Sequence, residues 1–178
     1  MRGFVLACLA LIAGCSDPVN DDARSALGGE KPGVPKGPLH RPGQPCLACH
    51  GEAGDAPLFS LAGTVYQTEG GSTPLADALV KMIDSKGRVY KAATNCAGNF
   101  FVMRNDYDPA FPVWVKVAFG QFGGSPFEHE MGTPIYREGS CAKCHSHPPG
   151  PTSAGRVFLA PAPEPGQPGV PFPPQCQP

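Results

Sequence analysis

Alternating apolar and polar residues run through the middle of the chain and predict a series of short β-strands. The clearest case is 113–119, where Val113, Val115 and Val117 alternate with other side chains at a period of two, as in a half-buried strand. Four further segments have strand-like composition and are separated by turn residues: 63–68, 78–83, 89–94 and 100–104. No comparably long stretch has a helical period. Short strands with turns at intervals of about ten residues predict a mainly β protein, a small β-sandwich.

The two flanks of this region are rich in glycine and proline. Ten of the 18 residues at 28–45 are Gly or Pro, and so are ten of the 18 residues at 161–178. Such segments bury too little apolar surface to offset their ordering entropy. We therefore expect the packed part of the chain to be about 46–160, between irregular Gly/Pro-rich tails.

The N-terminus predicts export. Met1-Arg2-Gly3 gives a short positive start, and 4–13 is an apolar run of ten residues. That run is too short to span a bilayer and is typical of the central part of a signal peptide. The net charge of −1 and the lack of a basic run give no electrostatic support for a nucleic-acid partner.

The end of the apolar run, Leu11-Ile12-Ala13-Gly14-Cys15, resembles a bacterial lipobox. The resemblance implies cleavage of a signal peptide at 1–14 and a lipid anchor on Cys15, followed by a flexible linker at 15–45. Ser16 resembles the sorting signal for the outer membrane, so the expected place is the periplasm or the cell surface, on the outer membrane. The alternative is ordinary signal cleavage, with Cys15 as a bystander thiol.

Two copies of the pattern C-x-x-C-H carry the strongest chemical signal, Cys46-Leu-Ala-Cys49-His50 and Cys141-Ala-Lys-Cys144-His145. Two thiols at this spacing each form a thioether to one haem vinyl group, and the following histidine reaches the iron from one face. The chain therefore resembles a c-type cytochrome, and the resemblance implies two covalently attached haem c groups, with His50 and His145 as proximal ligands.

Two other interpretations of a C-x-x-C pair, a redox pair and a zinc site, fit this sequence less well. A thioredoxin-like redox pair needs a βαβ setting, which neither motif has. Two pairs around one zinc ion would not require a histidine after each pair, and zinc suits an oxidising compartment less well. With five His in 178 residues, His at both positions by chance is about one in a thousand.

An electron-transfer haem needs a second axial ligand on the opposite face of the iron. His147 is too near His145 to cross the same haem, and the strand residues Met82 and Met103 are expected to pack in the core. His40 and His129 remain as two histidines for two irons, with Met131 as the main rival for the second haem. His40 has a Pro-rich arm on which to fold back over a haem.

Two cysteines are left once the haem motifs, Cys15 and the signal peptide are accounted for. Cys96 lies in a predicted turn, and Cys176 lies near the end of the Pro-rich tail. An exported chain is in an oxidising compartment, so these two are expected to form a disulfide. The alternative is two unpaired thiols, because the sequence does not give the distance between their Cα atoms.

Several pieces of the strand region resemble a carboxypeptidase-regulatory-like domain. They are Ala62-Gly-Thr-Val-Tyr66, Leu75-Ala-Asp-Ala-Leu-Val80, Asp84-Ser-Lys-Gly87 and Thr94-Asn-Cys-Ala-Gly-Asn-Phe-Phe101. The family is a non-catalytic, transthyretin-like β-sandwich, so the resemblance implies a scaffold and no protease residues. The expected organisation is a first haem-binding segment at 46–60, the sandwich at 61–120, a second haem-binding segment at 121–160 and a Pro-rich tail at 161–178.

These observations together predict an electron carrier of the bacterial cell envelope, with redox proteins as partners and no catalytic residues of its own. One alternative is a haem enzyme, such as a peroxidase or a small-oxyanion reductase, which needs an open iron position and acid–base groups beside it. Another is a structural or adhesive module in which the haems are incidental. Binding of carbon monoxide separates the first two functions, since only an open or weakly held iron position takes it.

Overall fold

The computed structural model describes residues 17–30, 32–120, 127–166, 168–172 and 176. Within them the protein is mainly β, and the strands form two sheets, which confirms the predicted fold class. The strands are β1 (Phe59–Thr68), β2 (Ala78–Asp84), β3 (Val89–Ala93), β4 (Asn99–Met103), β5 (Val113–Phe119), β6 (Glu128–Glu130) and β7 (Val157–Ala160). One sheet has the order β4-β1-β7 and the other has the order β3-β2-β5-β6.

The core lies between the two sheets, as the alternation of the sequence predicts. Along β2, residues alternate strictly between buried and half-buried positions. Met82 is fully buried in this core, so its predicted packing role is confirmed. The other large buried side chains come from both sheets and their loops, and include Leu61, Val65, Leu75, Val80, Val102, Val113 and Leu159.

Two short strands extend the sandwich beyond the boundary expected at residue 120. β6 pairs antiparallel with β5, and β7 pairs parallel with the second half of β1, with Val65 opposite Val157. Both strands lie in the segment expected to be only haem-binding, 121–160. At three and four residues they are too short for a period of two to distinguish them from loop, which is why the sequence did not reveal them.

The N-terminal flank is more ordered than its composition predicts. It contains helix α1 (Pro18–Ala26), whose first turn is capped by the Asp17 side chain accepting from the Asn20 N–H at 3.1 Å. The helix contacts the short helix α2 (Leu47–His50), and Arg24 donates to the Ala53 carbonyl at 3.0 Å. The flexible linker expected at 15–45 therefore needs correction, because tertiary contacts supply the order that Gly and Pro do not.

The segment after α1 lies on the sandwich. Asn95 donates to the Pro38 carbonyl at 2.7 Å, and Gly43 donates through its N–H to the Thr64 hydroxyl at 2.8 Å. We call residues 38–45 the arm. The proposed signal peptide and Cys15 lie outside the described residues. In the part of the chain that the structure describes, no helix has both the length and the apolar character needed to cross a membrane.

The C-terminal tail is tied to the domain at two points. Phe172 packs against Phe119 and Phe127, with ring centres 5.9 Å away in each case. Cys96 and Cys176 form a disulfide, with Cα atoms 5.3 Å apart. The two cysteines left over in the sequence thus pin the end of the tail to the turn before β4.

Replacing Cys96 and Cys176 together with serine should lower the free energy of unfolding by about 2–4 kcal/mol, because the bridge restrains a long loop in the denatured chain. The two cysteines are 80 positions apart in sequence. Urea denaturation of wild type and variant measures the difference. Wild type unfolded under reducing conditions should match the double variant, and an unchanged midpoint in both cases would show that the bridge adds no stability.

Candidate functional site

The first C-x-x-C-H motif forms the short helix α2 and the residue that precedes it. The His50 N–H donates to the Cys46 carbonyl at 2.9 Å, which closes one helical turn around the motif. This turn brings the two cysteines to one side, since positions three apart are neighbours on a helix. Both are free thiols, and burial raises the pKa of Cys46 to about 11. Its surroundings therefore favour an uncharged sulfur, as in a thiol or a thioether.

The imidazole of His50 is held in a single orientation. Its Nδ1 lies 2.8 Å from the Pro57 carbonyl oxygen, and a carbonyl only accepts, so Nδ1 carries the proton. The Nε2 lone pair is then left for a metal ion. Phe59 stacks flat against the ring at 3.9 Å between centres, with 4° between the planes. This pairing of a backbone carbonyl and a stacked aromatic ring limits rotation of His50.

His40, on the arm, lies opposite His50. The centres of the two rings are 6.0 Å apart and the planes are inclined by 71°. Two imidazoles that bind one metal ion from opposite sides have ring centres about 6 Å apart, because each metal–nitrogen bond is about 2 Å long and each centre lies about 1 Å further out. The separation of the His40 and His50 rings is therefore the one that two axial imidazoles on a single haem iron would have.

A carboxylate lies near His40 without a hydrogen bond to it, since the buried Nδ1 of His40 has no hydrogen-bond partner among the described residues. Glu30 Oε1 lies 3.4 Å from His40 Nδ1, and it accepts a hydrogen bond from Arg41 Nε at 2.9 Å. The hydrogen bond from Arg41 lowers the pKa of Glu30, so this carboxylate stays ionised near neutral pH. The sequence did not point to Glu30, because nothing in its local context marks it as a neighbour of His40.

The second motif repeats the arrangement of the first. Cys141 opens a short 3₁₀ helix, Cys141–Lys143, and the His145 N–H donates to the Cys141 carbonyl at 2.8 Å. The Nδ1 of His145 lies 3.0 Å from the Gly155 carbonyl oxygen, which again leaves Nε2 for a metal ion. Burial raises the pKa of the Cys141 thiol to about 12. Both C-x-x-C-H histidines are thus oriented by a backbone carbonyl.

A largely apolar cleft adjoins the second motif. His145 and Cys141 line one side, His129 and Met131 line another, and the walls are Val80, Phe100, Val115, Val117, Val157 and Phe158. His129 is exposed, and the register of β6 places it on the side of the strand that borders the cleft. It lies directly opposite Val117, which is buried, whereas Glu130 lies opposite Lys116 and forms an ion pair with it at 3.1 Å on the other face. The predicted ligand His129 and its rival Met131 therefore share the cleft with His145.

The arm and the second motif meet β1 on its opposite faces. A Cβ atom placed on Gly63 would lie 2.7 Å from Cys141 Sγ, whereas the side chain of the next residue, Thr64, bonds to Gly43 of the arm. Adjacent residues of a strand point to opposite faces. Cys141 and the arm therefore approach β1 from different faces, although Cys46 lies near enough that its charge adds to burial in raising the pKa of Cys141.

Gly63→Ala should destabilise the protein by about 1–3 kcal/mol, because a methyl group there overlaps Cys141 and overpacks the core. Gly132→Ala is the control, because a Cβ at Gly132 meets nothing within 4 Å. Equal stability of the two variants in urea would show that Cys141 does not need the close approach at Gly63.

The remaining predicted residues are placed as follows. His147 is exposed beyond the second motif, and Met103 is half-buried at the end of β4. Among the described residues, no group of three or more His, Cys, Asp or Glu side chains is placed to hold a metal ion. A haem iron takes only one protein ligand from each face, so such a site does not require a group of three.

No protein-family model, curated protein or solved structure matches this chain. The resemblance to carboxypeptidase-regulatory-like domains stays a prediction beyond the two-sheet architecture itself.

Proposed function

We propose that this chain is a dihaem c-type cytochrome, exported to the bacterial cell envelope, that transfers electrons between redox proteins. The observation that carries the proposal is the pair of facing imidazoles, His40 and His50, with ring centres 6.0 Å apart beside two free C-x-x-C thiols. The second motif supports it, since His145 has the same carbonyl partner for Nδ1 as His50.

Bound haem supplies a one-electron redox couple, and the residues of the chain hold it. Cys46 and Cys49 would tether the first haem, and Cys141 and Cys144 the second. His50 and His145 present Nε2 to the metal because each Nδ1–H donates to a backbone carbonyl. Phe59 restrains the His50 ring, and the half-buried environment excludes part of the solvent from the first site.

The placement of His40 favours an electron carrier over a haem enzyme. An enzyme needs an open iron position with acid–base groups beside it, whereas His40 stands where a second axial ligand would bind. His129 and Met131 offer the same possibility in the second cleft. Both irons would then keep the same ligands in both oxidation states, which suits transfer of an electron without a substrate.

Optical spectra of the reduced protein, with and without carbon monoxide, test this function. The carrier predicts that neither haem changes its spectrum, because both irons are six-coordinate with protein ligands. The haem content of the same sample is the control, because it shows whether any of the protein lacks haem. A full shift of one haem under carbon monoxide in wild type would favour the enzyme instead.

Membrane attachment through a lipid on Cys15 belongs to the same proposal, and it rests on the lipobox-like run at 11–15. Cys15→Ala should move the protein from the membrane fraction to the soluble fraction, because a tether without its acyl chains loses its apolar anchor. Fractionation of cells that express each form measures this. Cys15→Ala that stays as membrane-bound as wild type would contradict the anchor.

A further inference from the structure

A buried amide ties the arm to the sandwich. Asn99, at the start of β4, is 7% exposed. Its Nδ2 donates to the His40 carbonyl at 2.9 Å and to the Pro38 carbonyl at 3.3 Å. Its Oδ1 accepts from the Thr64 hydroxyl at 2.7 Å. The amide nitrogen of this side chain therefore bonds to two carbonyls of the arm, and its amide oxygen bonds to Thr64 on the neighbouring strand.

Thr64 completes the connection. Its hydroxyl donates to Asn99 and accepts from the Gly43 N–H at 2.8 Å. The two side chains thus hold the arm at three points, Pro38, His40 and Gly43, on both sides of the histidine and at the histidine itself. We call Asn99 and Thr64 the clamp.

Apart from the clamp, Asn95 donates to the Pro38 carbonyl at 2.7 Å, and the arm has little else to fix its backbone. It contains no helix or strand before the first motif, and Arg41, directly after His40, has a left-handed backbone with φ of 49°. A non-glycine residue in that region requires surrounding contacts to hold it. The Arg41 guanidinium supplies some of them, through Glu30 at 2.9 Å and the Gly28 carbonyl at 2.6 Å, and these bind the arm to the segment that follows α1 but not to the sandwich.

We infer that Asn99, with Thr64, is a positioning residue that holds His40 across from His50 as an axial ligand of the first haem. The inference rests on the proposed function. Asparagine suits the task because its side chain has two donors and an acceptor on one planar group. Aspartate has a similar shape but donates nothing when ionised, so it would leave the His40 carbonyl without this donor and the Pro38 carbonyl with Asn95 alone.

The test uses the full-length holoprotein and its Asn99→Asp variant. The readout is the coordination state of the haems, from the high-spin signal in electron paramagnetic resonance and from carbon monoxide binding. Wild type should be low-spin throughout. In the variant the high-spin, carbon monoxide-binding share should approach about one half of the total haem, since one of two irons loses its sixth ligand. Thr64→Val alters the other member of the clamp and should give the same change to a smaller extent.

Thr94→Val is the matched control. Thr94 is also buried, and its hydroxyl accepts from the Ala78 N–H at 2.9 Å and donates to the Leu75 carbonyl at 2.6 Å, away from the arm. Its loss should lower stability and leave both haems low-spin. If Asn99→Asp and Thr64→Val fold, by circular dichroism, and remain low-spin like Thr94→Val, the clamp has only a structural role and the inference is overturned.

A failure of the proposed function gives a different result from a failure of this inference. The first would appear as wild-type protein without covalent haem, which is read from the intact mass before any variant is compared. With two haems in place in every variant, the spin state alone reports on His40.

Discussion

His40→Ala should convert the first haem from six-coordinate to five-coordinate, so that about half of the total haem becomes high-spin and binds carbon monoxide. The physical reason is the pair of rings with centres 6.0 Å apart, a separation that two metal–nitrogen bonds in line would give. Alanine removes the imidazole and leaves the neighbouring polypeptide intact. The change would be close to all-or-none for that haem, because among the described residues His40 is the only histidine whose ring contacts that of His50.

Absorption spectra of the reduced variant under carbon monoxide measure the effect. His147→Ala is the matched control, because His147 is an exposed histidine beyond the second motif and its loss should change neither haem. A His40→Ala protein in which both haems remain low-spin and refuse carbon monoxide would show that the first iron takes its second ligand elsewhere.

His129→Ala should have the corresponding effect on the second haem. Directly opposite the buried Val117, His129 faces the cleft that it shares with His145. The double variant His40→Ala and His129→Ala should therefore bind carbon monoxide at both irons. Met131→Ala should leave both haems low-spin, although Met131 lines the same cleft.

Spectra of the wild-type protein show independently whether His129 or Met131 is the ligand of the second haem. A thioether ligand raises the reduction potential and gives a sulfur-to-iron charge-transfer band at the red end of the oxidised spectrum, whereas two imidazoles give neither. We expect no such band. If the band is present in wild type and disappears in Met131→Ala but not in His129→Ala, then Met131 is the ligand and the assignment of His129 is wrong.

The sequence predicted the sandwich because its strands are half-buried and alternate. β5 was expected at 113–119 and lies at Val113–Phe119. β7 was not expected, since Val157–Ala160 is only four residues long. It is a strand because it pairs with β1, more than 85 positions earlier in the chain. A pairing between such distant segments leaves no trace in the local pattern of either one.

The residues of the candidate site likewise divide into those that a local pattern identifies and those that only long-range contacts identify. The C-x-x-C-H spacing is local, so the six residues of the two motifs could be read directly. Counting histidines led to His40, but its setting could not be predicted, because Asn99 is 59 positions away in sequence. For the same reason the Gly/Pro-rich arm was expected to be a free tether. Its order comes from side chains on β1 and β4, which composition does not reveal.

The mass of the intact chain tests the central claim most directly, when the protein is produced together with a cytochrome c maturation system. The account predicts the mature polypeptide plus two haems, resistant to extraction by acidified organic solvent. It also predicts the loss of one haem in the double variant Cys46→Ala and Cys49→Ala, and of the other in Cys141→Ala and Cys144→Ala. A wild-type mass equal to that of the bare polypeptide, or haem that extracts into the solvent, would contradict it.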